Sequence, residues 1–149
     1  MTAPAPNALD FVLALTRAHA GLARRMDGDL GAFHGLNFAD FTLLYLLMQA
    51  DDGRLPMKAL GRSLGLSMSA LVRKMVLLEK TGHAQRMSEP EAATQRHAAL
   101  RSGGRQLVQG AIATVEAHCK EAVRSIDPAN LSSTYSTLLD MCGHMDAPV

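Results

Sequence analysis

The chain is 149 residues long and 48% apolar, with 4% aromatic residues and no Trp, which suits one domain of packed helices and argues against a β-sandwich. Cys119 and Cys142 form no C-x-x-C pair, "MTAPAPNALD" has no basic then apolar leader, and "FTLLYLLM" falls far short of the roughly 20 residues of a membrane span. These features predict a cytoplasmic protein with no membrane partner. The net charge of +1 divides unevenly: residues 54–105 carry ten basic and three acidic groups, a local +7, while the segments before and after each carry −3. A basic middle segment fits either a polyanion-binding face or a solvated basic surface.

Asn7 is placed to cap a first helix through "ALDFVLALTRAHAGLARRM", with one wide apolar face that includes Leu9, Val12, Leu13 and Ala23. The glycine-rich "DGDLGAFHG" is expected to end it. Asn37, with Asp40 three residues on, predicts the cap of a second helix, "FADFTLLYLLMQA", which is apolar nearly all round and therefore central. After "RLP", the short helix "MKALGRSL" leads through a "GLS" turn into a helix capped by Ser67, whose buried stripe is Leu71, Met75 and Leu78. The segments "AQRMS" and "QRHAA", joined by "EPEAAT", predict a small antiparallel hairpin that "RSGG" closes. A long helix from about Arg105 to Ser125 is expected to pack through Leu107, Ile112, Val115, Cys119 and Ala122. Asp127 and Pro128 then start a last helix containing Leu131, Tyr135, Leu138, Leu139 and Met145.

This order is that of a mainly α protein with a small β-hairpin wing: a winged helix-turn-helix with additional helices at both ends. If Leu71, Met75 and Leu78 face the core, Ser67, Met68, Ser69, Ala70, Arg73 and Lys74 project from the rest of their helix. Small and hydroxyl residues allow close approach to a duplex, the helix N-terminus favours a phosphate, and Arg73 can reach a phosphate or a guanine edge.

The stretches "HGLNFADFTLLYLL", "LPMKALGRSLGLSMSALVRKMVLLEKTGHAQR" and "LRSGGRQLV" resemble the MarR family of bacterial transcriptional regulators over nearly the whole chain. That family reads like "L…L…RLGLS.S.VTR.V..LE..GLV.R", and Leu60, Leu64, Gly65, Leu66, Ser67, Ser69, Leu71, Arg73, Leu78, Glu79, Gly82 and Arg86 stand in those places. The resemblance implies a homodimer with interlaced terminal helices and two winged lobes that enter successive major grooves of double-stranded DNA. It also implies control by a small aromatic or phenolic acid, or its thioester, bound between the dimer region and the lobe. The corresponding division is residues 1–35 for the N-terminal dimerisation helix, 36–104 for the winged lobe and 105–149 for the C-terminal dimerisation helices. Met68, Ala70 and Val72 stand where relatives often have Lys or Thr, and Ala92 and Thr94 replace the Asp-x-Arg pair that braces the wing and enters the minor groove.

The expected function is a homodimeric MarR-like regulator on a pseudo-palindromic promoter site. The competing expectation is a ligand-sensing or interaction module that keeps the winged fold with weakened or lost DNA binding. The DNA-contact set is Ser67, Met68, Ser69, Ala70, Arg73, Lys74, Arg86 and Arg96, the last on the wing. The ligand set is His19, Arg24, His34, Phe38 and Tyr45, with Arg24 to pair a carboxylate, although His19, His34, Phe38 and Tyr45 would also serve as core. The six histidines lack zinc-site spacing, no phosphate loop, nucleophile elbow or carboxylate pair suggests an enzyme, and no metal or cofactor is expected. Cys119 and Cys142 are expected to be buried small hydrophobes.

Overall fold

Asn7 opens the first helix with a reciprocal cap. Its side-chain oxygen accepts from the Asp10 N–H at 3.0 Å, and the Asp10 carboxylate accepts from the Asn7 N–H at 3.1 Å. The structure, a computed structural model, describes residues 4–89 and 92–146, with the side chains of residues 89 and 92–94 outside that description. Helix α1 spans Ala8–His34 and does not break at "DGDLGAFHG" as expected; it continues to Gly35. A helical glycine costs about 1 kcal/mol, whereas full burial of Met26 and Leu30 stabilises by roughly 1.5–3 kcal/mol each, so packing overrides propensity. The other half of α1 leaves Leu9, Phe11, Val12, Leu13 and Leu15 exposed.

Helix α2 (Phe38–Gln49) starts at Asn37, whose side chain accepts from the Asp40 N–H, and it contributes Phe41, Leu43, Leu44 and Leu47 to the core. A 3₁₀ turn at Asp51–Gly53 leads to strand β1 (Arg54–Pro56), then α3 (Met57–Leu64) and α4 (Met68–Lys80). Gly65 sits between the last two at φ 64°, a left-handed conformation that a Cβ would strain. Leu71, Met75 and Leu78 are buried, as their spacing predicts.

Strands β2 (Ala84–Glu89) and β3 (Ala92–Leu100) pair antiparallel, with β1 on the far side of β3. β1 was not anticipated: a three-residue strand has no readable period, and it forms because Leu55 meets Ala98 across the sheet. The hairpin arms are also longer than expected. The ladder through Met87↔His97 and Ser88↔Arg96 extends past a register shift at Ser88/Glu89 to Glu89↔Ala92, so most of "EPEAAT" is strand.

Helix α5 (Ser102–Val123) takes "RSGG" into its first turn instead of starting after it. A Cβ on Gly104 would collide with the His83 carbonyl, so only glycine lets α5 approach the turn that follows α4. That approach centres its buried face on Gly104, Val108, Ala111 and Val115. The expected stripe was rotated: Leu107 and Ile112 flank the core, and Ala122 is exposed. Both cysteines are exposed too, contrary to expectation, because among the described residues no element packs over them.

Helix α6 (Pro128–Asp146) is capped by Asp127, whose carboxylate accepts the Ala129 and Asn130 N–H groups at 3.1 and 3.3 Å. It has no buried residue. One cluster of buried side chains joins the second half of α1, α2, α3, α4, β2, β3 and the first half of α5. Among the described residues no single helix is long and apolar enough to cross a membrane.

Candidate nucleic-acid interface

Ser67 fixes the start of α4: its hydroxyl accepts from the Ala70 N–H at 3.2 Å and lies 3.2 Å from the Ser69 hydroxyl. With Leu71, Met75 and Leu78 in the core, the opposite face presents Ser69, Arg73, Leu77 and Lys80, all exposed. Between α4, the start of α3 and the β2–β3 wing lies an open cleft of about 630 Å³. Lys58, Arg62, Arg86 and Arg96 line it, together with Met57, Met68 and Val72. The basic segment of the sequence is thus partly gathered on one surface beside the helix-turn-helix. Lys58 and Arg62 belong to it although the sequence reading did not single them out; their i, i+4 spacing on α3 was the available signal.

Two of the predicted DNA contacts are engaged inside the lobe. The Arg86 guanidinium donates to both carboxylate oxygens of Glu79, at 2.8 and 3.0 Å, and Glu79 also accepts the Arg86 backbone N–H at 2.9 Å. This fork holds the Glu79 carboxyl below its ordinary pKa and raises that of Arg86, chiefly through the side-chain hydrogen bonds. It ties the C-terminal turn of α4 to β2, so Arg86 braces the wing. Lys74 does not project outward as expected: its ammonium donates to Asp40 at 2.7 Å and both side chains are largely covered. The α4 backbone turns Lys74 toward α2, about 100° per residue from its neighbour Arg73.

The predicted ligand residues do not converge. A second cavity of about 370 Å³ is lined by His19, Asp27, Asn37, Phe38, Thr42, Leu64 and Lys74. His19 and Phe38 are therefore brought together, joined by Thr42, Leu64 and Lys74, which the sequence reading had not placed there. His34 instead meets the Thr114 hydroxyl at 2.9 Å on α5, Tyr45 stacks on Phe41 with ring centres 5.6 Å apart, and Arg24 is exposed outside this lining. The wing residues Ala92 and Thr94 have side chains outside the described set, whereas Arg96 is exposed at the cleft.

By sequence, no protein-family model and no curated protein matches the chain at a significant level. By structure it is similar to Sco3205 from Streptomyces coelicolor, a MarR family transcriptional regulator solved in complex with DNA. The TM-score is 0.83 at 19% identity, over 98% of this chain and 93% of that one. The chain has the MarR winged-helix fold. AbsC, another MarR family regulator of S. coelicolor, superposes at TM-score 0.81 and 18% identity, covering 95% and 97% of the two chains. CouR from Rhodococcus jostii RHA1, solved with p-coumaroyl-CoA bound, gives 0.78 at 20% identity, covering 89% and 91%. The MarR-like architecture explains the chain's layout: a winged lobe between long terminal helices.

Proposed function

We propose that this chain is a DNA-binding transcriptional regulator that acts as a homodimer on a pseudo-palindromic promoter site. The observation that carries the reading is the exposed face of α4 beside a cleft lined by Lys58, Arg62, Arg86 and Arg96. Phosphates would meet the exposed cations of that cleft, and Arg73 would reach a phosphate or a guanine edge. Residues 36–104 would serve as the DNA lobe, with residues 1–35 and 105–149 supplying the dimer region. The apolar side chains left exposed on the first half of α1 and on α6 support that assignment. Two lobes related by a two-fold axis would set half-sites about 10 base pairs apart, centre to centre.

The cavity around His19, Phe38 and Lys74 would take a small aromatic acid, with Phe38 for stacking and Lys74 exchanging its bond to Asp40 for the ligand carboxylate. Because Lys74 lies on α4, an occupant would act directly on the DNA-reading helix. Gel shifts with the DNA upstream of the protein's own gene test the main reading. A specific complex that weakens in Arg73→Ala by about 1–3 kcal/mol is expected. No complex at low salt would favour the alternative of a sensing module that has lost DNA binding.

A further inference from the structure

Met68 is the first residue of α4 and is 49% exposed on the wall of the cationic cleft, an unusual place for a long apolar side chain. Val72, one turn further along the same helix, lines the same cleft. On this first turn the Ser67 hydroxyl caps the Ala70 N–H and lies 3.2 Å from the Ser69 hydroxyl, and neither residue lines the cleft. The side of the helix nearest the wing therefore offers carbon and sulfur where a hydrogen-bonding reader would stand. Of the groups that base pairs expose in the major groove, only the thymine C5-methyl is apolar.

Resting on the DNA-binding reading above, we infer that Met68, backed by Val72, reads thymine methyl groups in each operator half-site. The flexible thioether can lie flat against a methyl while Lys58 and Arg62, on the same cleft, hold the adjacent phosphates. Specificity at that step comes from burial of the methyl and not from a hydrogen bond to the O4 acceptor. Arg73, on the outer face, reads a separate position.

The test uses the full-length protein and a duplex enriched from a random library. Each thymine of a half-site is replaced singly by deoxyuridine, which deletes the methyl and leaves every hydrogen-bonding group in place. Fluorescence anisotropy is expected to show one or two positions at which affinity falls about threefold to tenfold, as removal of one buried methyl implies. In Met68→Ala the same exchange should have no effect. Circular dichroism of that variant should be unchanged, because the side chain is not part of the core. If no thymine is sensitive, or if the sensitivity persists in Met68→Ala, the inference is wrong while DNA binding stands. If no duplex is enriched over bulk DNA, the functional reading fails and takes this inference with it.

Discussion

Helices α4 and α6 start alike, each with a side-chain cap from Ser67 or Asp127, yet α4 buries Leu71, Met75 and Leu78 while α6 buries nothing. On α6, Tyr135 is 62% and Leu139 53% exposed, side chains that an isolated surface helix would not carry at this spacing. α1 contains the same contrast within one helix: Met26 and Leu30 sit in the core, whereas Leu9, Val12 and Leu13 do not. Local helix signals thus operate equally in both regions, but among the described residues α6 and the first half of α1 bury none of their apolar side chains. Among the described residues these stretches carry exposed apolar faces, and a helix draws most of its stability from packing such a face.

The sharpest way to break this contrast is to put charge on the uncovered face. For the proposed homodimer, Tyr135→Asp combined with Leu139→Asp is expected to abolish dimerisation at micromolar concentration, giving a monomer by light scattering. A stable dimer of this double variant would move the interface elsewhere. Within the lobe, Leu71→Ala leaves a cavity among fully buried neighbours and should cost about 2–5 kcal/mol in chemical unfolding. Leu139→Ala, by contrast, should affect unfolding mainly through its dependence on protein concentration. Equal, concentration-independent losses for the two would erase the distinction between the regions.

The smallest effect expected is at the wing brace. Glu79→Gln keeps the shape but removes the charge that faces Arg86, and should cost roughly 1–2 kcal/mol at pH 7. Arg86 depresses the Glu79 carboxyl in the folded state, so this stabilisation is complete above the unfolded carboxylate value of about 4.3. It is lost as the pH falls from there through the lower folded value. Urea midpoints of the wild type and Glu79→Gln should therefore differ at pH 7 and converge as the pH falls below the unfolded carboxylate value through the lower folded one. A gap that stays constant with pH would mean that the fork contributes through packing alone.

Much of the fold was legible because its signals are local. Asn37, Ser67 and Asp127 mark helix starts through bonds that span only two or three residues, and the i, i+4, i+7 spacing of Leu71, Met75 and Leu78 names a buried face directly. The reading failed where a distant partner outweighed the local preference. Gly28 and Gly31 signalled a break, but the burial of Met26 and Leu30 carries α1 through them. "RSGG" looked like punctuation until Gly104 met the His83 carbonyl, and β1 needed β3 to become a strand at all.

The candidate site divides in the same way. Charge density, the Ser67 cap and the outward position of Arg73 follow from order and spacing along one helix, which the amino-acid sequence states by itself. Whether a cation faces solvent or a carboxylate is a property of pairs far apart in the chain. Lys74 meets Asp40 across 34 positions, and His34 meets Thr114 across 80. Those pairings depend on how α1, α2, α4 and α5 cross, and helix periodicity carries no information about crossing geometry. The tertiary structure alone therefore decided that Lys74 lines the cavity beside His19 and Phe38, that Arg86 braces the wing, and that Met68 stands in the cationic cleft.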